Sequence, residues 1–155
     1  MASDTAQRQG LELPEPKRDV KEKLGALLPS QCVLSNPLDL TMTDAERYEL
    51  VISETAADPN ISSFLTIFGD PIPRAAEAID RARRSTDKPI VVVYLGGSDT
   101  EKIERSKMNK MGVPVFASPE RAVMALHGLF RHSQNLQSMY GDAVHEVGTP
   151  RWASG

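Results

Sequence analysis

Cysteine, aromatic residues and long hydrophobic runs are all scarce in this sequence. A single cysteine among 155 residues excludes an internal disulfide and suits a reducing compartment. Aromatic residues make up 5% of the chain, so the core that its 40% of hydrophobic residues can build is mainly aliphatic. No apolar run approaches the roughly 20 residues of a membrane-spanning helix, and the N-terminus lacks the hydrophobic stretch of a secretory signal. We therefore expect a cytoplasmic protein with no membrane contact, in which Cys32 is either a small buried hydrophobe or a reactive thiol.

Charge of one sign and catalytic motifs are also lacking. The net charge is −3 and the basic residues are spread among acidic ones, which argues against a nucleic-acid partner. His127 and His132 are five residues apart and diverge by roughly 140° around a helix, so they cannot share a metal ion, and His145 is remote from both. No Ser/His/Asp set, metal-spaced Cys/His cluster or phosphate-binding G-x-x-x-x-G-K-[ST] motif occurs. The sequence predicts no catalytic residue and no metal ligand of its own.

The clearest positive feature is a repeated alternation of apolar runs and helix-opening loops. The runs cover residues 32–34, 64–68, 90–95 and 113–116, and the loops cover 36–41, 69–73, 96–99 and 118–120. Such alternation predicts a three-layer α/β fold of the flavodoxin-like type, a mostly parallel sheet with helices on both faces. Four strands are one fewer than this fold usually has, so an element near Leu11 or outside the chain is expected to complete it. Ligands bind such sheets at the carboxyl ends of the strands, where all four loops lie.

Turn and cap signals divide the chain. Residues 1–10 are predicted to be a flexible N-terminal remnant, 11–140 the folded domain, and 141–155 a flexible tail or linker. Helices are expected over 17–28, after a capping box at 43–46, from Pro73, after a second capping box at 98–101, and from Pro119. Ile103, Met108 and Met111 are predicted to form the buried face of the helix after residue 98.

The loop from Gly69 to Arg74 is the candidate anion site. A helix N-terminus presents free N–H groups and a partial positive charge, and Gly69 permits close backbone approach. The candidate residues are Gly69, Asp70, Ile72 and Arg74; the alternative is an ordinary turn between a strand and a helix. Asp39 and Asp70 are candidate acids, or loop stabilisers that accept hydrogen bonds from nearby backbone N–H groups.

Taken in order, the loops resemble a known family. The segments are Asn36–Thr41, Ala57–Ile61, Ile67–Asp70, Lys88–Val92, Gly112–Phe116 and Ser118–Ala122. Together they resemble the CoA-ligase, flavodoxin-like domain of the NDP-forming acyl-CoA synthetases, which is similar to the C-terminal domain of the succinyl-CoA synthetase β subunit. The resemblance covers roughly residues 11–138. It departs at Asp70, where the succinyl-type pattern has a second glycine, and in the spacing of Pro71 and Pro73.

This resemblance implies a role. Such enzymes join a carboxylic acid to CoA with ATP or GTP and Mg, through an acyl phosphate and a phosphohistidine. The CoA-binding, phosphohistidine and ATP-grasp domains would be this chain's partners, and the chain itself would bind no cofactor tightly. The helix that opens at Gly69–Arg74 would face the phosphohistidine, and Asn36, Asp39, Gly96, Gly97 and Ser98 would form neighbouring interface loops. The chain would then be an excised domain or a separately encoded piece of a synthetase, inactive alone.

Two other functions stay open at this point. One is a regulatory or binding domain of the kind found in protein acetyltransferases that keep a degenerate synthetase half. The other is a stand-alone interaction protein that pairs with itself as a homodimer through the face that a partner domain would otherwise cover.

Overall fold

A computed structural model describes residues 1–41, 44–95 and 97–140. Within these ranges the chain forms six helices and three strands. The helices are α1 (Ala2–Arg8), α2 (Arg18–Leu27), α3 (Ala45–Thr55), α4 (Ala75–Arg84), α5 (Ser98–Lys110) and α6 (Pro119–Tyr140). The strands are β1 (Phe64–Phe68), β2 (Ile90–Tyr94) and β3 (Val115–Phe116). The predicted tail at 141–155 lies outside the described residues.

The strands form one parallel sheet in the order β1-β2-β3. Phe64 is paired with Ile90 and Phe68 with Tyr94, while Val92 is paired with Val115. All five residues of β2 are buried, as expected for a central parallel strand covered on both faces. The predicted α/β class with a parallel sheet is confirmed.

Helices cover the two faces of the sheet in separate sets. On one face, α3, α4 and α5 pack over a core that includes Phe68, Val92 and Tyr94. On the other face, α6 packs over Val91 and Val93, and α1 packs against α6. α2 packs against α3 in a third cluster, where Cys32 is half-buried and its thiol donates to the Leu40 carbonyl at 3.4 Å. Along the described part of the chain, no helix combines the length and apolar character needed to cross a bilayer.

Two predictions about chain organisation differ from the structure. The run 32–34 was expected to be a strand of the sheet, but Val33 makes only an isolated antiparallel bridge with Asp39. Three apolar residues followed by Ser35 and Pro37 are too short and too interrupted to extend a parallel ladder. Residues 1–10, expected to be flexible, contain α1, whose Thr5 and Ala6 are buried.

The sequence predicted the helix starts to within one or two residues. The residues at the N-cap positions of α3 and α5 differ from the expected ones. Asp44 caps α3 by accepting from the Arg47 N–H at 3.1 Å, whereas the expected cap, Thr43, lies outside the described residues. α4 begins at Ala75, two residues after Pro73, and its N-cap Arg74 has a left-handed backbone with φ of 64°. Gly97 with φ of 69°, and not Ser98, is the N-cap of α5. Pro119 is the first residue of α6, as predicted.

The buried faces of the helices were predicted better for α4 than for α5. Ala75, Ala76, Ile79 and Ala82 are fully buried, as expected. In α5, Met108 is buried, but Ile103 is 54% exposed and the inward position is occupied by Glu104, which is 2% exposed.

A buried carboxylate connects three distant segments. Asp58 is 1% exposed and accepts from the N–H groups of Lys17 at 2.7 Å and Asn60 at 2.9 Å. Lys88, next to β2, donates its ammonium to the Asp58 carbonyl at 2.6 Å. Burial raises the pKa of the Asp58 carboxyl, but the two N–H groups and the nearby lysines outweigh it, so this pKa lies below its ordinary value of 3.8.

Replacing Asp58 tests this connection. We expect Asp58→Asn to lower the free energy of unfolding by about 1–3 kcal/mol, because the Lys17 and Asn60 N–H groups lose the ionised acceptor that the buried Asp58 side chain provides. Because the folded pKa is lowered, the contribution of Asp58 is present above pH 3.8 and is lost as the pH falls through the folded pKa. Urea unfolding at pH 7 and at acidic pH measures both effects. The matched control Asp99→Asn changes a carboxylate that is 93% exposed and is expected to be nearly neutral.

Candidate functional site

The carboxyl ends of β1 and β2 bring the loop 69–74 and the start of α5 to one edge of the sheet, as predicted. Gly69 follows β1 directly, and Gly97 follows β2 after two residues. Gly96, predicted to lie in the same loop, is outside the described residues. The Gly97 N–H donates to Glu101 Oε2 at 3.1 Å, and Arg105 donates to the other oxygen of that carboxylate at 3.0 Å. The start of α5 therefore carries its own acidic acceptor.

Asn36 and Asp39 support the backbone of their own loop. The Asn36 side chain donates to the Pro14 carbonyl at 2.9 Å. Asp39 accepts from the Thr41 N–H at 2.8 Å and pairs its backbone with Val33. Of the two interpretations considered for Asp39, the loop stabiliser is the one with a partner in the structure.

The loop 69–74 has a rigid half and an open half. Ile72 is 8% exposed, and its carbonyl accepts from the buried Tyr94 hydroxyl at 2.8 Å, which fixes the loop to the sheet. Gly69 and Asp70 are exposed at the sheet edge. A Cβ built on Gly69 meets no atom within 4 Å, and its φ is not in the left-handed region. The fold therefore does not require glycine here, and the space above this residue is free.

Acidic side chains dominate the surface around this loop. A shallow hollow is lined by residues 44–46 and 70–74, which include the carboxylates of Asp44, Glu46 and Asp70. The one cation in that lining, the Arg74 guanidinium, forms an ion pair with Glu46. A phosphoryl group in this hollow would meet more negative than positive charge.

The N-terminus of α4, the expected anion-binding element, already has an anion. Oε2 of Glu104, on α5, accepts from the Ala76 N–H at 2.8 Å in a buried position. Lys107 donates to Glu104 Oε1 at 3.0 Å and to Glu77 Oε1 at 2.9 Å. These hydrogen bonds raise the pKa of Lys107, and the one from Lys107 holds the pKa of Glu77 below its ordinary value. α5 thus supplies the negative charge that a helix N-terminus favours.

Sequence reasoning missed Glu104, although a signal was present. Glu104 lies four residues before Met108 and therefore on the same face of the helix. An acid at a position that the helical period assigns to the core needs a hydrogen-bonding partner, and a neighbouring helix N-terminus is a common one. Among the described residues no group of three or more His, Cys, Asp or Glu side chains is arranged to hold a metal ion.

Curated proteins similar to this chain are CoA ligases. The chain is 31% identical over 141 residues to the α subunit of acetate–CoA ligase (ADP-forming) I of Pyrococcus furiosus. This match covers 86% of the chain and 30% of that subunit. It is also 31% identical over 136 residues to acetate–CoA ligase (ADP-forming) I of Archaeoglobus fulgidus, covering 86% of this chain and 19% of that protein. This chain is homologous to one part of the ADP-forming CoA ligases. It spans less than a third of the length of either relative.

A third curated relative is also much longer than this chain. A trans-feruloyl-CoA synthase from an unknown prokaryote is 30% identical over 157 residues, covering 93% of this chain and 22% of the synthase. A search against family models found no match.

Solved structures share the fold of this chain at lower sequence identity. A Pyrococcus horikoshii protein superposes with a TM-score of 0.78 at 23% identity, covering 87% of this chain and 33% of that one. The apo form of a dinucleotide forming acetyl-coenzyme A synthetase of Candidatus Korarchaeum cryptofilum gives a TM-score of 0.76 at 22% identity, covering 86% and 30%. The same synthetase in complex with phosphate and ADP superposes with a TM-score of 0.74 at 23% identity. The expected resemblance to the NDP-forming acyl-CoA synthetases is confirmed.

Substitution of Glu104 tests whether it fills the α4 N-terminus. We expect Glu104→Ala to lower the free energy of unfolding by about 2–3 kcal/mol, because a buried N–H loses an ionised acceptor and Lys107 loses one of its two carboxylates. Thermal or urea unfolding measures the loss. The control Glu22→Ala removes a carboxylate that is 65% exposed on α2, and we expect a change below about 0.5 kcal/mol. Equal effects from both variants would contradict the buried role of Glu104.

Proposed function

We propose that this chain acts as the CoA-ligase domain of an NDP-forming acyl-CoA synthetase and is inactive alone. One observation carries the proposal. The chain is 31% identical to the acetate–CoA ligase α subunit over 86% of its own length, but this match spans only 30% of that subunit. Three carboxylates near the sheet edge have structural roles: Asp39 supports its loop, Asp44 caps α3 and Glu46 pairs with Arg74. The rest of the catalytic machinery would come from the CoA-binding, phosphohistidine and ATP-grasp domains.

In this proposal, the open sheet edge docks against a sister domain of the synthetase. The free space above Gly69, the buried anchor at Ile72 and the left-handed turn at Arg74 give a fixed, exposed surface next to the start of α4. Asn36, Asp39, Gly97 and Ser98 are proposed as neighbouring contact positions. Because the hollow around the loop is acidic, the facing surface is expected to be basic.

Cofactors belong to the complete enzyme in this proposal. ATP or GTP with Mg, together with CoA, would bind the other domains, and the reaction would pass through an acyl phosphate and a phosphohistidine. The α4 N-terminus would stabilise the phosphohistidine through N–H groups of the Gly69–Arg74 turn, because the buried Ala76 N–H is already bound by Glu104.

The same Glu104 contact favours a second candidate, a regulatory or binding domain without a phosphohistidine role. A helix N-terminus that already has an internal carboxylate, beneath an acidic surface, has less electrostatic need for a phosphoryl group. Under this alternative the domain would bind an acyl-CoA or a protein surface and take no part in ligation.

Reconstitution distinguishes the two candidates. The purified chain is expected to form no acyl-CoA from ATP, CoA and a panel of acids that includes acetate and ferulate. Adding the polypeptide that carries the missing domains is expected to restore turnover. Turnover by the chain alone would contradict the proposal, and acyl-CoA binding without any restored ligation would favour the second candidate.

A glycine substitution tests the docking edge. Gly69→Leu adds a side chain in free space, so we expect the isolated chain to keep its Tm while the reconstituted synthetase loses at least about tenfold in turnover. The matched control is Gly128→Leu, which also meets no atom within 4 Å but lies on α6. Equal turnover for the two variants would place the docking surface elsewhere.

A further inference from the structure

α6 is longer than the sheet that it covers. Its 22 residues measure about 33 Å along the helix axis, whereas the five residues of β2 span about 17 Å. The helix begins three residues after β3 and packs against all three strands as it runs back across the sheet. Phe130 lines a groove together with Asn60 and Ser62, which precede β1, so it lies at the amino ends of the strands. The last ten residues of α6 therefore project past this edge of the sheet.

The projecting part of α6 has almost no charge. Residues 132–140 contain no Asp, Glu, Lys or Arg, although these residue types make up 25% of the whole sequence. By contrast, seven of the 13 residues of α5 and five of the ten residues of α4 are charged. Phe130, just before the uncharged run, is 47% exposed, and Met139, within it, is 72% exposed. An uncharged helix end with exposed apolar side chains favours packing against another surface over contact with water.

The spacing of residues in this segment is that of paired helices. Leu129 and Leu136 are seven residues apart, and Leu126 and Ser133 form a second series with the same spacing. Two such series lie side by side on one face of a helix, as the a and d positions of a coiled coil do. Leu126 belongs to the core of the domain, whereas Leu129, Ser133 and Leu136 are half-buried. These last three residues, the α6 seam, continue the core-facing side of the helix beyond the domain.

The polar member of the α6 seam already has its hydrogen bond. The Ser133 hydroxyl donates to the Phe130 carbonyl at 2.8 Å, one turn earlier in the same helix. A hydroxyl that is hydrogen-bonded within its own helix can be covered by an apolar side chain at a smaller cost than a free one. The seam can therefore pack against an apolar surface along its whole length.

The lack of charge favours a second copy of the chain as the surface that covers the seam. In a twofold-symmetric pair, residues near the axis meet their own copies, so a charged side chain there opposes a like charge. The outer surfaces of α4 and α5 would bring like charges together in this way, whereas residues 132–140 would not. Because these residues project past the sheet, two copies can bring their seams together without contact between the two sheets.

We propose that the α6 seam pairs with the seam of a second copy of this chain in an antiparallel helix pair. Leu129 of one copy packs near Leu136 of the other, on both sides of a twofold axis close to Ser133. The contact uses a few apolar side chains per copy, against roughly 20–30 residues a side in a stable interface, so we expect weak association. It lies at the amino ends of the strands, leaves the carboxyl ends free, and does not rest on the proposed function.

Sedimentation equilibrium of the full chain tests the pairing. We expect the average mass to rise from 17.0 kDa towards twice that value as the protein concentration increases from about 10 μM to about 1 mM. Ser133→Leu places a further apolar side chain in the seam, and we expect it to strengthen association at least about tenfold. A mass that stays at 17.0 kDa for the unmodified chain over this range would overturn the proposal, and so would equal association of the two proteins.

Two lysine substitutions on α6 test the position of the contact. Leu136→Lys places a charge in the seam opposite its own copy, and we expect it to weaken association at least about tenfold. Met124 is 51% exposed and lies about 120° around the helix from Leu136, so Met124→Lys is the matched control and is expected to change association little. Both variants are expected to keep their Tm, because neither side chain belongs to a core cluster. Equal weakening by both, or none by Leu136→Lys, would overturn the proposal.

A shortened chain tests another occupant of the seam, residues 141–155 of the same molecule. The chain that ends at Tyr140 keeps every described helix and strand. A segment that folded back on the seam would compete with a second copy, so its removal would strengthen association. We expect the shortened and full chains to associate equally. Association that occurs only after removal of residues 141–155 would assign the seam to that segment and overturn the proposal.

Discussion

Complete burial of the central strand is the constraint on which the rest of this domain depends. β2 exposes almost no surface at any of its five residues, so both faces of the sheet need a covering layer. One layer is built from α3, α4 and α5, with alanines on α4 allowing close approach to the strands. The other is built from α6 with α1 against it. The loops that follow β1 and β2 thereby lie at the carboxyl ends of the strands.

At the edge formed by the carboxyl ends of the strands, carboxylates of the domain itself bind N–H groups at the starts of the helices. An anionic ligand was expected at one of these positions, the start of α4. Asp44 caps α3, Glu101 accepts from the N-cap of α5, and Glu104 reaches from α5 to the second residue of α4. Each contact stabilises a helix start in the absence of any partner. Beside them, the hollow lined by Asp44, Glu46 and Asp70 is acidic, and a domain that docks there has to match this negative charge.

The sequence was most informative where a period was long and uninterrupted. The runs at 64–68 and 90–95 and the small-residue face of α4 were identified correctly, because several residues repeat the same spacing. The run at 32–34 was assigned to the sheet wrongly, since three residues cannot distinguish a strand from a bridge. α1 was missed because its seven residues carry too few apolar positions to show a helical period. Glu104 was missed because its partner, the Ala76 N–H, is 28 residues away in the chain.

The open space above Gly69 has an evolutionary consequence. Most glycines at the end of a strand are retained because a larger residue would collide with a neighbour or strain the backbone. At Gly69 neither restriction applies to an added Cβ, so we expect the isolated domain to accept a side chain there. Any restriction on this position in related chains would therefore have to come from what the edge meets after assembly. Sequence variation at this one position would then record selection on the interface, separately from selection on the fold.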